Sequence, residues 1–261
     1  MNRFEKHFQQ HGAPLLGAAV YQYSPAFVEI CAQLGYQAIW FEMEHAPLSL
    51  SQIIDLCRIA SGVGLLSMIR VPDGSRQSVL RAAECGPDII DLPMGNTPDE
   101  MRELVSHARF APQGNRGFFG ASRAVRYGIP SDMAAEQRRI NDELCLLSQI
   151  ETREAVETAD RLCEVSGIDG IFIGPGDLSA SYGVPGQTDH PEVVEAISRT
   201  VATAKQHGKR VALMVKAGDV GRWAAKGVDL FFCTSDIACL RITAQSVSEQ
   251  FRASLNRAAG T

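Results

Sequence analysis

Eight times along this chain a short apolar, β-branched run gives way to a longer amphipathic one, and that alternation narrows the fold more than any other feature. The short runs are Leu15–Tyr21, Ala38–Glu44, Leu65–Val71, Ile89–Met94, Leu144–Ile150, Ile168–Gly174, Arg210–Val215 and Asp229–Thr234. Between and after them the spacing predicts helices from about Pro25 to Leu34, Ser49 to Ala60, Ser75 to Cys85, Thr97 to Phe110, Thr152 to Val165, His190 to His207, Ala217 to Lys226 and Asp236 to about Asn256. Strands alternating with helices of this length pair in parallel. Near-continuous apolar runs such as Ile171-Phe172-Ile173 suit strands buried on both faces. Gly35, Gly62, Gly64, Gly86, Gly167, Gly208 and Gly227 fall close to the helix ends, where glycine supplies a left-handed cap. Eight such units closing on themselves make an α/β fold, a (β/α)8 TIM barrel, expected as one domain over residues 1–261. An open, doubly wound sheet is the alternative.

A chain of 261 residues with 45% hydrophobic and 21% charged side chains can bury a large core. Its net charge of −5 favours neither nucleic acid nor an anionic membrane as partner. No apolar run is long enough to span a bilayer. The start, Met1-Asn2-Arg3-Phe4-Glu5-Lys6, leads into no signal-like apolar segment, so a cytoplasmic protein is expected. The seven cysteines form no CxxC pair and read as reduced core residues, with a thiolate metal site or a catalytic cysteine as lesser alternatives. Residues 111–143 break the rhythm with Pro112, Gly114, Gly117, Gly120, Arg116, Arg123 and Arg126, then a polar, helical tail to Asn141. An irregular segment this long in a compact domain is functional or oligomeric.

In such a barrel the site lies at the C-terminal ends of the strands. Glu151 and Asp177 follow neighbouring strands and should converge on one rim. Two carboxylates with open positions suit Mg2+ or Mn2+, and equally each acid could simply begin a helix. His45, just past the second strand, is an acid–base candidate or a surface loop histidine. Arg70 ends an otherwise apolar strand, where it either pairs with a rim acid or binds an anionic substrate. Lys216 would need burial to serve as a Schiff-base amine, and its neighbours look like an exposed helix start. Gly174-Pro175-Gly176 could bring backbone N–H groups against a carboxylate or phosphate.

Taken together, Gly35-Tyr-Gln-Ala-Ile-Trp-Phe-Glu-Met-Glu-His-Ala-Pro47, Ile69-Arg-Val-Pro72, Gln149-Ile-Glu-Thr-Arg-Glu-Ala155 and Gly167-Ile-Asp-Gly-Ile-Phe-Ile-Gly-Pro-Gly-Asp-Leu-Ser179 resemble the HpcH/HpaI aldolase and citrate lyase family, with its metal-dependent class II pyruvate aldolases. Arg116-Gly117 and Arg123 match weaker marks, and the likeness spans roughly residues 12–240. The resemblance implies a barrel of the phosphoenolpyruvate/pyruvate type and a metal (Mg2+, Mn2+ or Co2+) held by Glu151 and Asp177. It implies Gln149 beside that metal, Arg70 on the ketone oxygen and future enolate, and N–H groups near Gly174, Pro175 and Gly176 on the substrate carboxylate. It assigns proton transfer to His45, assisted by Glu84 from a neighbouring subunit of a hexamer. The 111–143 segment would then lie at the subunit contact. The substrates implied are a 2-oxo acid and a carbonyl co-substrate.

Some positions depart from the family pattern. Glu42 and Glu84 stand where aspartate is usual, Gly176 replaces a common alanine, and Gly86-Pro87-Asp88 and Asp91-Leu-Pro-Met94 differ from the usual glycine-alanine and valine-proline-methionine segments. The half of the site that chooses the electrophile thus looks altered. Two alternatives remain: a metal-dependent citrate synthase of siderophore biosynthesis acting on oxaloacetate and acetyl-CoA, and a non-catalytic barrel that binds a small acid.

Overall fold

The computed structural model describes residues 1–12 and 14–259. Ala13, Gly260 and Thr261 of the expected 1–261 barrel lie outside the described residues. Eight parallel strands close in sequence order: β1 Leu15–Val20, β2 Ala38–Glu42, β3 Leu66–Arg70, β4 Ile89–Leu92, β5 Cys145–Ile150, β6 Gly170–Ile173, β7 Arg210–Met214 and β8 Leu230–Ser235. β1 pairs with β8, so the sheet has no free edge and the doubly wound alternative is excluded.

Alternate strand residues fill the barrel, as the two-residue period of a strand requires. Leu15, Ala19, Ala38, Trp40, Leu66, Met68, Ile89, Leu147, Phe172 and Phe232 form one buried cluster. Trp40, Phe172 and Phe232 meet edge to face, with centroids 5.2, 5.5 and 5.7 Å apart. Fully burying one such ring contributes on the order of 1.5–3 kcal/mol. Gly17 makes room for it, because a Cβ there would stand 2.6 Å from the Phe232 ring. The other strand faces, including Ile39, Phe41, Ile69, Ile171 and Ile173, pack against the surrounding helices.

Most helices lie where the spacing predicts, and three differ. Arg3–His11 forms a helix of its own, capped by the Asn2 side chain on the Glu5 N–H at 2.8 Å, and its Phe4 plugs the barrel floor. The segment expected as one helix over Thr152–Val165 is two, Arg153–Glu157 and Ala159–Cys163, broken at Thr158, whose hydroxyl bonds back to the Glu154 carbonyl. Ala217–Lys226 is a 3-10 turn, Ala217–Asp219, followed by a short helix, Val220–Ala224. Two further helices are Pro175–Ser181 and, within the irregular segment, Met133–Glu143. Six of the seven proposed cap glycines take positive φ; Gly62 instead ends the helix Leu50–Gly62. All seven cysteines are free thiols, and burial pushes Cys31 up to about 12 and Cys85 and Cys163 up to about 11. Among the described residues no helix is long and apolar enough to cross a membrane.

Candidate active site

At the C-terminal end of the barrel, three ionisable side chains stand in one row. Glu42 is in register with Arg70, and Arg70 with Asp91, on β2, β3 and β4. All three are buried. The single Oε2 of Glu42 takes Arg70 Nε at 2.7 Å and Nη2 at 2.5 Å. Its Oε1 accepts the backbone N–H groups of Glu44 and His45, at 2.6 and 3.1 Å, and so folds the turn that leaves β2. Arg70 Nη1 lies 3.2 Å from Glu44 Oε2 and 3.5 Å from Gln149 Oε1, and the guanidinium stacks 4.9 Å from the Trp40 ring. Burial works to discharge Arg70, but the acids Glu42, Glu44 and Asp91 outweigh it and hold the cation in place. Of the two readings open for Arg70, pairing with a rim acid is therefore what this structure contains.

Gln149 joins this row to the next acid. Its Nε2 donates to Glu151 Oε2 at 2.7 Å, while Met94 N–H donates to Oε1 at 2.8 Å. Met94 reaches that position with φ of 51°, a left-handed conformation rare for a side-chain-bearing residue. Gly174 leaves the space open: a Cβ there would stand 2.5 Å from Glu151 Oε2 and 2.7 Å from Gln149 Nε2. Burial first, then the like charges of Asp177 and Glu44, push the Glu151 carboxyl up to about 7, against the opposing Met94 N–H and Arg70. Glu151 is not a helix cap, because Thr152 caps the helix that follows. Asp177 is exposed in the first turn of Pro175–Ser181, where the helix dipole also favours an acid. Among the described residues no group of three or more His, Cys, Asp and Glu could hold a metal ion. Glu151 and Asp177 are the two carboxylates here that follow neighbouring strands, and Glu42, Glu44 and Asp91 stand behind them.

The remaining sequence candidates are scattered. His45 is exposed, with Nε2 3.4 Å from Glu44 Oε2. The Gly174 N–H is already bonded to the Ile150 carbonyl, and Pro175 has no N–H, so the free donors of that turn narrow to Gly176 and Asp177. Lys216 is 78% exposed and lies 3.4 Å from Asp189, which provides none of the burial a Schiff-base amine needs. Glu84 closes the helix Arg76–Glu84 at the opposite end of the barrel and pairs with Arg116 at 2.9 Å; within one chain it does not approach His45.

Asp91 is the group that sequence reasoning passed over as a site residue. It is fully buried, and neither of its oxygens has a hydrogen-bond partner. Burial pushes its carboxyl well above the usual carboxylate range; Arg70 opposes this, while Glu151, Glu42 and Glu44 add to it. Its burial beside Arg70 thus favours the protonated form. The available signal was a lone acid inside the apolar run Ile89-Ile90-Asp91-Leu92.

The sequence profile of the HpcH/HpaI aldolase/citrate lyase family matches residues 20–236. A hydroxypyruvate/pyruvate aldolase of Sagittula stellata is 37% identical over 180 residues, covering 69% of this chain and 70% of its own length. A 2-keto-3-deoxy-L-rhamnonate aldolase of Klebsiella pneumoniae is 35% identical over 204 residues, 78% of this chain and 75% of its own. The crystal structure of an HpcH/HpaI aldolase from Desulfitobacterium hafniense superposes with a TM-score of 0.88 at 28% identity, covering 95% of this chain and 96% of that one. The chain belongs to the HpcH/HpaI aldolase/citrate lyase family and is a carbon–carbon lyase.

Proposed function

We propose that this enzyme is a divalent-metal-dependent aldolase that forms or cleaves a 4-hydroxy-2-oxo acid through a pyruvate enolate. One observation carries the reading: Gln149 touches both a fixed cation, Arg70, and a carboxylate, Glu151, whose like-charged neighbour Asp177 follows the next strand. The donor chemistry fits Mg2+, Mn2+ or Co2+. Two hard oxygen ligands leave room for water and for a chelating substrate. The burial-raised carboxyl of Glu151, facing like charges, is an environment that a cation relieves. Glu151 and Asp177 would hold the ion, which supplies a Lewis acid to the 2-oxo acid.

The chain's own groups then divide the work. The outward N–H groups of Arg70 bind the ketone oxygen and stabilise it as the C3–C4 bond breaks and its electron pair moves onto the enolate. Gly176 and Asp177 N–H groups receive the substrate carboxylate. His45 takes the proton from the 4-hydroxyl as the aldehyde leaves, and returns it in the condensation direction. His45 stands 66% exposed, so we also propose that Glu84 of a neighbouring subunit orients it, with the 111–143 segment at that contact.

A product screen at defined metal tests the reading. Pyruvate with a panel of aldehydes should give 4-hydroxy-2-oxo acids. Product only from oxaloacetate with acetyl-CoA would replace it with the citrate-forming alternative, and no turnover in any combination would reject it.

A further inference from the structure

The row formed by Glu42, Arg70 and Asp91 on β2, β3 and β4 continues onto β1. Ala19 is in register with Trp40 and Val20 with Phe41, so Tyr21 leaves β1 at the level of Glu42. Strand alternation turns its side chain inward, as it does those of Glu42 and Arg70. The Tyr21 ring packs on the interior cluster and meets Trp40 edge to face, with centroids 6.4 Å apart. Trp40 in turn carries the Arg70 guanidinium 4.9 Å from its ring. Tyr21 therefore stands one aromatic ring away from the cation assigned to the ketone oxygen.

The backbone of this tyrosine is fixed and its hydroxyl is free. Buried Asp236, at the end of β8, accepts the Tyr21 N–H at 3.1 and 3.2 Å and the Gln22 N–H at 2.9 Å. The half-buried hydroxyl has no hydrogen-bond partner among the described residues. On the β8 and β7 side its neighbours in the interior cluster are Phe232 and Met214, and the Ser235 hydroxyl is taken by the Ala238 N–H. Burial first, then the charge of Glu42, raise the Tyr21 pKa against Arg70, so the group is a neutral O–H. A buried aromatic ring with a polar tip is usually completed by a partner, and here the protein provides none.

The groups assigned to the 2-oxo acid, Arg70, Glu151 and Asp177, lie on or after β3, β5 and β6. Tyr21 is on the other side, next to β2, and the turn after β2 carries His45. That is the side on which the carbonyl co-substrate meets His45. Glu42 and Glu44 stand there as well, so a carboxylate-bearing co-substrate would face like charges. A neutral hydroxyl meets no such penalty and can both accept from and donate to a phenol. We propose, on the basis of the pyruvate-aldolase reading above, that Tyr21 is a specificity-determining residue whose hydroxyl hydrogen-bonds a hydroxyl of the co-substrate. The enzyme then takes an α-hydroxyaldehyde in preference to an alkyl aldehyde of the same size.

The test is steady-state condensation of pyruvate, with divalent metal present, with glycolaldehyde and with propionaldehyde, which differ only by a hydroxyl in place of a methyl group. Wild type should show the higher kcat/KM for glycolaldehyde. Tyr21→Phe keeps the ring on Trp40 and removes the hydroxyl alone. Its ratio of kcat/KM for glycolaldehyde to that for propionaldehyde should fall about three- to tenfold, as the loss of one neutral hydrogen bond implies. The change should reside mainly in the KM for glycolaldehyde, because the bond is made in the bound substrate and the transition state alike. An unchanged ratio in Tyr21→Phe, or a wild-type preference for propionaldehyde, would overturn the proposal and leave the aldolase reading standing. Methyl-proton exchange of pyruvate involves no aldehyde, and a loss there as large as that with glycolaldehyde would put Tyr21 on the enolate side and equally overturn it. A wild-type protein that neither exchanges pyruvate protons nor condenses either aldehyde would reject the aldolase reading itself, and this proposal with it.

Discussion

Arg70 on β3 and Glu42 on β2 face each other across one register pair and close an ion pair, with Nε at 2.7 Å and Nη2 at 2.5 Å from the same carboxylate oxygen. Both side chains are almost free of solvent, 6% and 0% exposed. Removing one partner of a buried pair leaves the other charge stranded, so Glu42→Gln should lower stability by about 3–5 kcal/mol. The urea midpoint reads this, and an unchanged midpoint would show that water already screens the pair. Arg70→Ala should in addition slow both cleavage and pyruvate methyl-proton exchange by on the order of a hundredfold, since both pass through one charged intermediate. Undiminished exchange in that variant contradicts its assigned role.

Asp91 gives a pH signature of unusual sign. Its folded carboxyl is held above the value of about 3.9 that it has in the unfolded chain, so above that pH the native state holds a proton that the unfolded state has lost. Stability therefore falls as pH rises from about 4 toward the folded value, by at most about 1.4 kcal/mol per pH unit from this group. Asp91→Asn removes this slope. The difference in unfolding free energy between variant and wild type should shift in the variant's favour as pH rises above about 4, until the folded Asp91 itself loses its proton. Parallel pH curves for the two proteins would mean that Asp91 is ionised and compensated in the fold.

The barrel was legible because each strand is buried on both faces, so runs such as Ile171-Phe172-Ile173 stand out from the helices around them. The first helix was not. Arg3–His11 is mostly polar, and Phe4 gains its meaning only from the barrel floor it closes. The candidate site residues stood out at strand ends, where Arg70, Glu151 and Asp177 each interrupt an apolar or glycine-rich run. What joins them did not: Glu42 and Arg70 lie 28 residues apart, and Gln149 and Arg70 79. Periodicity reports which face a residue takes, and such contacts depend on which strands become neighbours. Glu84 and Arg116, 32 residues apart, are a second case, brought together by the irregular segment for which no periodic pattern exists.

His45 should separate two steps that Arg70 joins. We place it at the electrophile's oxygen, so His45→Ala should slow aldol cleavage and condensation by about a hundredfold, in the range of general acid–base catalysis, and leave methyl-proton exchange of pyruvate near wild type. Equal losses in both assays would move His45 to the enolate side.

Activity should also depend on assembly. His45→Ala and Glu84→Ala proteins, each slow alone, should regain activity above the sum of the two when mixed under conditions of subunit exchange, because some sites then carry both native residues. A fully active monomer, or a Glu84→Ala protein with wild-type rates, would show that Glu84 serves only its ion pair with Arg116.

The central claim is that Glu151 and Asp177 would hold a divalent metal whose Lewis acidity supports enolisation of pyruvate beside Arg70, and deuterium exchange into the pyruvate methyl group, followed by proton NMR, tests it most directly. Wild-type protein stripped with EDTA should exchange no faster than buffer, and Mg2+, Mn2+ or Co2+ should restore the rate. Glu151→Gln, judged folded by its unfolding curve, should stay at the background rate with any of the three ions. Full exchange by a demonstrably metal-free sample, or by Glu151→Gln at wild-type metal concentration, would contradict the account.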